Sequence, residues 1–306
     1  MLDKFWESIG SNLAERWLEY IFGPAFLFWA GGLGLYAWRT GWQATLKEAQ
    51  ALTQFQQGSW LVLALLVLVF SSVLMQAIRF PILRLLEGYW PWPFNYLGLG
   101  IVALQKRSSQ KKIAELRDLL KTLEDAGKLD VGQREKLTQL EMWAHSRPAK
   151  SNDLLPTALG NILRARERSP ERKYGLDAIV CWPRLWPLLP ENLRTDLANA
   201  RSTLDHLVEL WFWGLLFVLW VFWTPWAVAI GLLWMLMTYG MALQAVMAYG
   251  DLLETAFDLH RLSLYDALGW PRPTNSEEDK VLGAQMTEFL WRGTLPGPIT
   301  YQSKKE

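Results

Sequence analysis

Ionisable side chains stand at both ends of the longest uncharged stretch of the sequence. Three precede it and three follow it: Asp205, His206, Glu209, Asp251, Glu254 and Asp258. The last three are spaced by three and four residues, so on a helix they share one face. If the stretch folds back, antiparallel helices bring both groups to one depth, where histidine and carboxylates can bind a cation or exchange protons. The alternative, which we favour, is ordinary polarity at helix ends, with pairs such as Asp258–Arg261 and Arg201–Asp205.

Basic side chains dominate a second segment, residues 162–173. Against only Glu167 and Glu171, it carries Arg164, Arg166, Arg168, Arg172 and Lys173. Such a cluster can bind anionic lipid headgroups or a phosphorylated ligand. A solvated loop beside a membrane explains the same residues, and we favour that simpler interpretation.

Residue sets for metal binding, cofactor binding or nucleophilic catalysis are missing from the sequence. The histidines His145, His206 and His260 are far apart, and none lies in an HExxH pattern. Cys181 is the single cysteine, so the chain has neither a zinc-thiolate set nor an internal disulfide. The GxSxG, GxxxxGKS/T and GxGxxG motifs are also absent. We therefore predict no enzyme, no metal and no cofactor, and the net charge of +1 gives no reason to expect nucleic acid as a partner.

The elements that must position these residues are long apolar helices. Of the 306 residues, 51% are hydrophobic and 19 are Trp. Residues 20–38 and 60–78 are uncharged runs, each long enough for one helical crossing of a bilayer core of about 30 Å. Residues 210–250 would form a helix about 60 Å long, so this run must fold back, and Pro225 marks the turn. We predict an all-α polytopic membrane protein with four transmembrane helices.

The distribution of lysine and arginine predicts the orientation. Arg39 and Lys47 lie on one side of the predicted spans, and seven basic residues lie on the other: Lys4, Arg16, Arg79, Arg84, Arg194, Arg201 and Arg261. Positive residues favour the cytoplasmic side, so both termini are predicted inside, most simply at a bacterial inner membrane.

Five segments follow from this topology. They are an interfacial amphipathic helix (1–19), transmembrane helices 1 and 2 (20–79), a helical cytoplasmic unit packed at the inner membrane face (80–190), transmembrane helices 3 and 4 with stalk extensions (191–270), and a cytoplasmic helix and tail (271–306).

Within the cytoplasmic segments the pattern predicts more detail. The aromatic and proline residues around Trp90–Pro93 predict an interfacial elbow through residue 104, with a re-entrant loop that lines a cavity as the alternative. A separate charged helix is predicted over 108–124. A turn near Gly127 and a second short helix complete a helical hairpin. A final amphipathic helix is expected to begin at Ser276 with Asp279 as its capping partner.

The predicted spans contain no ionisable side chain, which argues against a transporter or pump. We therefore predict a non-enzymatic inner-membrane protein that self-associates or scaffolds a membrane complex, with lipid as its surroundings and anionic headgroups as a possible contact. The alternative is an oligomeric ion channel gated through the cytoplasmic stalk. A third, weaker hypothesis is a lipid-handling enzyme at the inner face.

Overall fold

The computed structural model describes residues 23–293, and these are almost entirely helical. Helices account for 85% of them, and no strand is found in this range. The α-helices are α1 (Pro24–Thr40), α2 (Trp42–Ala51), α3 (Gln54–Glu87), α4 (Asn95–Ala126), α5 (Val131–His145), α6 (Ala158–Glu167), α7 (Ser169–Tyr174), α8 (Ala178–Leu185), α9 (Glu191–Phe217), α10 (Trp226–Leu268) and α11 (Ser276–Arg292). Short 3-10 helices cover Ser151–Asp153, Trp186–Leu188 and Val218–Phe222. The predicted all-α fold is confirmed.

Within residues 23–293, three helices are long and apolar enough to cross a membrane, not the predicted four. They are α3, the continuous stretch Glu191–Phe222 and α10, with 34, 32 and 43 residues. The run over residues 20–38 was expected to provide another, but α1 has 17 residues. At 1.5 Å per residue this is about 25 Å, short of a core of about 30 Å. The amphipathic helix predicted over residues 1–19 lies outside the described residues.

The chain divides into two compact units. The first contains the described residues up to Leu83 together with Asp205–Ala242, and the second contains Arg84–Leu204 and the residues from Leu243 onward.

Aromatic rings fill the interior of the first unit. Trp213 is buried, and its ring centroid lies 5.1 Å from that of Phe28. A Cβ atom added to Gly32 would lie 2.3 Å from the Trp220 ring, so α1 approaches this ring more closely than any larger residue would allow. Dispersion contacts and aromatic packing therefore hold this unit together.

The predicted helical hairpin at Pro225 is confirmed. The chain leaves the 3-10 helix at Phe222, and α10 begins at Trp226. A Cβ atom on Gly231 would lie 2.9 Å from the Gly214 carbonyl oxygen, so the two helices are in backbone contact. Arg39, at the end of α1, donates to the Phe222 and Trp223 carbonyls at 2.9 Å each, which satisfies acceptors at the turn.

In the second unit, the predicted interfacial elbow is replaced by a longer helix. Residues 95–104 and the charged residues after them form one helix, α4, which ends at Gly127 in the left-handed region. The predicted hairpin with α5 is confirmed, and Lys136 pairs with Glu115 across it. The apolar and charged segments share one helix because neither contains proline after Pro93.

The core of the second unit lies among α8, the start of α9, the end of α10 and α11. Its fully buried members include Leu185, Leu197, Phe257, Tyr265 and Met286. The predicted apolar face of α11 is confirmed by Met286, with Leu282, Phe289 and Leu290 packed beside it. Its predicted cap is wrong, however: the Asn275 side chain accepts from the Glu277 and Glu278 amides, so Asn275 is the N-cap.

Candidate functional site

A buried and charged region of the second unit is built around Arg166, near the end of α6. This helix starts at Thr157, whose hydroxyl accepts from the Gly160 amide. A Cβ atom on Gly160 would lie 1.9 Å from the Glu87 carbonyl oxygen, so glycine is needed for the close approach. The Arg166 side chain is consequently held in the interior, 7% exposed.

Two carboxylates of α10 neutralise the Arg166 guanidinium. Its Nη1 donates to Glu254 Oε2 and its Nη2 lies by Asp251 Oδ1, each at 2.6 Å. His145, the last residue of α5, contacts the same Nη1 through its Nε2. A Cβ atom on Gly250 would lie 2.4 Å from Arg166 Cγ, so this glycine makes room for the arginine stem.

The second oxygen of Glu254 is held by α7. Ser169 Oγ donates to Glu254 Oε1 at 2.5 Å, and Lys173 Nζ lies 2.8 Å from the same oxygen. Lys173 also contacts Asp258 at 3.0 Å, and the Tyr174 hydroxyl donates to Asp258 Oδ1 at 2.7 Å. Both oxygens of the Glu254 carboxylate therefore have hydrogen-bonded cationic partners.

Two α7 side chains have shifted pKa values. Burial opposes the charge on Lys173, but the hydrogen bonds to Glu254 and Asp258 prevail and raise the pKa of the ammonium group. The pKa of Tyr174 is raised by burial and by its hydrogen bond to Asp258. In both cases the shift keeps the proton on the group that donates to Asp258.

The network continues to α11. Arg261 Nε donates to Asp279 Oδ2 at 2.9 Å, and Tyr265 donates to the other oxygen at 3.5 Å. The Arg261 guanidinium also lies 4.0 Å above the Tyr174 ring. Asp279 is buried in this role, which explains why it does not cap α11. We call the connected groups from His145 to Asp279 the ion-pair network.

Ligand atoms of His145, Asp251 and Glu254 lie within 4.8 Å of one another, which is the spacing of a metal-binding set. In this network, however, the Arg166 guanidinium stands between the two carboxylates and contacts both. A metal ion would have to displace it and leave a positive group buried beside a cation. The residues present therefore fit a structural ion-pair arrangement and not a metal centre.

Residues of the two predicted sites form ion pairs with each other, which was not expected. Asp251, Glu254 and Asp258, predicted for a cation, are paired with Arg166 and Lys173, predicted for an anion. The two candidate sites thus supply each other's counterions within the second unit.

The remaining predicted residues lie elsewhere. Asp205, His206 and Glu209 belong to the first unit, where Glu209 accepts from Arg79 at 3.0 Å. Arg164 donates to the Tyr89 hydroxyl at 2.8 Å, and Arg168 contacts Glu171 and Asp177. Arg172 is exposed and lines a cavity of about 150 Å³ with Lys150 and Glu171.

Ser169, Tyr174, Gly250 and the pairing of His145 were not anticipated from the sequence. Gly250 could have been noticed in the sequence, because it directly precedes Asp251 at the end of the uncharged stretch. The partners of the others lie up to 109 positions away in the chain, so no local spacing indicates them.

Comparison with known proteins gives no assignment for this arrangement. No family model matches the chain, and neither the curated proteins nor the solved structures contain a significant match.

Proposed function

We propose that this chain is a non-enzymatic integral membrane protein that self-associates or holds a partner in the membrane through its aromatic-rich helices. The observation that carries this proposal is the exposed apolar surface of its long helices. Only 17% of the most apolar window of α3 is buried, and the corresponding figure for α10 is 22%. Leaving large apolar side chains in water costs about 1.5–3 kcal/mol each, so lipid or protein must cover them.

The location within the cell follows from the charges around these helices. The Lys/Arg distribution supports a bacterial inner membrane, with the second unit on the cytoplasmic side. The ion-pair network supports a structural role for the second unit. Its acidic groups already have cationic partners, an arrangement that fixes helix packing.

The hairpin between α9 and α10 is the proposed contact between subunits. Phe222 and Trp226 at its turn are exposed, 82% and 63%, whereas Trp213 in the same hairpin is buried. Exposed aromatic side chains of this size are typical of interface anchors.

Energy transfer between labelled copies in liposomes tests the proposal. Donor- and acceptor-labelled M142C protein, with the label on an exposed position of α5, is mixed and diluted tenfold with lipid. Transfer should persist on dilution, and F222A/W226A should lower it while F55A, at another exposed aromatic, should not. Transfer at the random level, with no partner co-purifying, would overturn the proposal. A loss in F55A alone would contradict the hairpin contact, and a ring-shaped particle with an axial pore would favour a channel instead.

A further inference from the structure

The first three turns of α4 form an exposed apolar surface in the second unit. Its large side chains are Tyr96, Leu97, Leu99 and Leu104, all between 63% and 67% exposed. Trp92, just before the helix, is 76% exposed. Residues 95–104 span about 15 Å as a helix, which is too short to cross a bilayer.

This surface has a defined inner and outer side. Gly98 packs under Pro156, since an added Cβ atom would lie 3.3 Å from Pro156 Cγ. Gln105 and Ser109 continue the inward side, and Gln105 donates to the Pro156 carbonyl at 3.0 Å. Tyr96, Leu99 and Leu104 occupy the opposite side, where none of the described residues of the second unit covers them.

A basic cluster follows on the same helix. Residues 88–105 contain no charged residue, and then Lys106, Arg107, Lys111 and Lys112 occur before the first acidic residue, Glu115. Arg107 and Lys111 continue the outward side of α4, at helical spacing from Tyr96 and Leu104. Within residues 23–293 no acidic side chain pairs with either of them. The outward side therefore changes from apolar to cationic along one helix.

A helix side that changes from apolar to cationic matches the surface of an anionic membrane leaflet. Leu99 and Leu104 suit the boundary between headgroups and acyl chains, Trp92 and Tyr96 suit the headgroup level, and Arg107 and Lys111 suit anionic phosphates. A protein partner would need an apolar groove bordered by acidic residues, whereas an anionic leaflet supplies both components continuously.

We propose that the amino-terminal half of α4 is an interfacial anchor that binds anionic lipid headgroups through Arg107 and Lys111 and inserts Leu99 and Leu104 among the acyl chains. The anchor rests on the proposed membrane location of the chain. It also gives the second unit a lipid contact separate from the basic segment 162–173, where Arg166 and Lys173 already have partners.

Quenching of a depth-sensitive fluorophore tests the anchor in the full chain. L99C, labelled with an environment-sensitive dye, is reconstituted in nanodiscs of neutral lipid or of neutral lipid with anionic lipid. M142C is the control at a similarly exposed position, 69%, on α5. We expect quenching by doxyl-labelled lipid to be several-fold stronger at position 99 than at 142 when anionic lipid is present. R107E/K111E should remove most of this difference, and K128E/R134E, at exposed sites near the α4–α5 turn, should not.

Three results would overturn the anchor. The first is quenching of the label at position 99 by a water-soluble quencher as strong as that of the label at position 142. The second is a label at position 99 that neither the water-soluble quencher nor doxyl-labelled lipid quenches, which would indicate cover by a second copy or another protein. Equal quenching in neutral and anionic nanodiscs would contradict the headgroup contact. Failure of the chain to enter nanodiscs would instead contradict the proposed function, so the two failures are distinguishable.

Discussion

The two units differ in how far they depend on buried charges: the first pairs the buried Glu209 with Arg79, whereas the second connects several such pairs in one network. In the first, the indole N–H groups of Trp213 and Trp220 are buried without a hydrogen-bond partner among the described residues, and aromatic packing fills the interior. In the second, Arg166, Glu254 and Asp279 are buried as paired charges. The first unit therefore depends on shape and close backbone approach, and the second on correctly paired charges.

Removing the central cation of the second unit should have the largest effect. Arg166→Met removes the cation from one oxygen of the buried Glu254 carboxylate and leaves Lys173 as its remaining cationic partner, and breaking a buried pair from one side costs up to about 3–5 kcal/mol. We expect the free energy of unfolding of this unit to fall by that amount in a denaturant titration.

The exposed Arg172→Met on the neighbouring helix is the matched control and should change that free energy by less than about 0.5 kcal/mol. Similar small losses in both variants would remove the distinction between the units.

Cys181 provides a reporter of the second unit's integrity. Burial raises the pKa of its thiol from 9.0 to about 11, so at pH 8 the thiolate, which is the reactive species, is about 100-fold scarcer. Maleimide labelling should be slower by at least that factor than labelling of the exposed M142C thiol, and denaturant should abolish the difference.

The raised pKa of Cys181 also makes the stability of the second unit depend on pH. Because the folded pKa is above the unfolded one, the buried neutral thiol stabilises the fold fully below about pH 9, and this contribution is lost as the pH rises towards 11. Rapid labelling of the folded chain at pH 8 would show that the core around Cys181 is open.

Overpacking the first unit should have an intermediate effect. In Gly32→Ala the new methyl group meets the Trp220 ring, and overpacking typically costs about 1–3 kcal/mol. Gly34→Ala, two residues along α1, meets no atom of residues 23–293 within 4 Å and should be neutral or stabilising. The measurement is the thermal midpoint in detergent followed by near-UV circular dichroism. Equal midpoints for the two variants would argue against a closely packed interior.

The smallest of these effects concerns the cap of α11. Asn275→Ala removes the acceptor of two amide groups and should cost about 1 kcal/mol. Ser276→Ala should be nearly neutral, and the free energy of unfolding measures both. A larger loss of unfolding free energy in Ser276→Ala than in Asn275→Ala would support Ser276 as the N-cap, as the sequence predicted.

The apolar pattern was a good guide to the helices, because burial or lipid contact acts on runs of residues. It identified α3 and the turn at Pro225 directly. It failed over residues 80–104, where aromatic and proline residues predicted an elbow, although the backbone is free to form a helix from Asn95 onward. It also overestimated α1, since absence of charge says nothing about where a helix begins.

The candidate site was less predictable for a physical reason. An ion pair depends on which side chains meet in three dimensions, and Lys173 and Asp258 are 85 positions apart. The sequence showed an arginine-rich segment and an acidic helix face, and each was interpreted alone. Their opposite charges were the available signal that they could pair with each other.

The mass of particles extracted directly from the membrane with a polymer, without detergent, tests the central proposal most directly. The exposed apolar helices predict particles that contain two or more copies of the chain, or the chain with a partner in fixed ratio. Particles that contain one copy alone at every expression level would contradict the account.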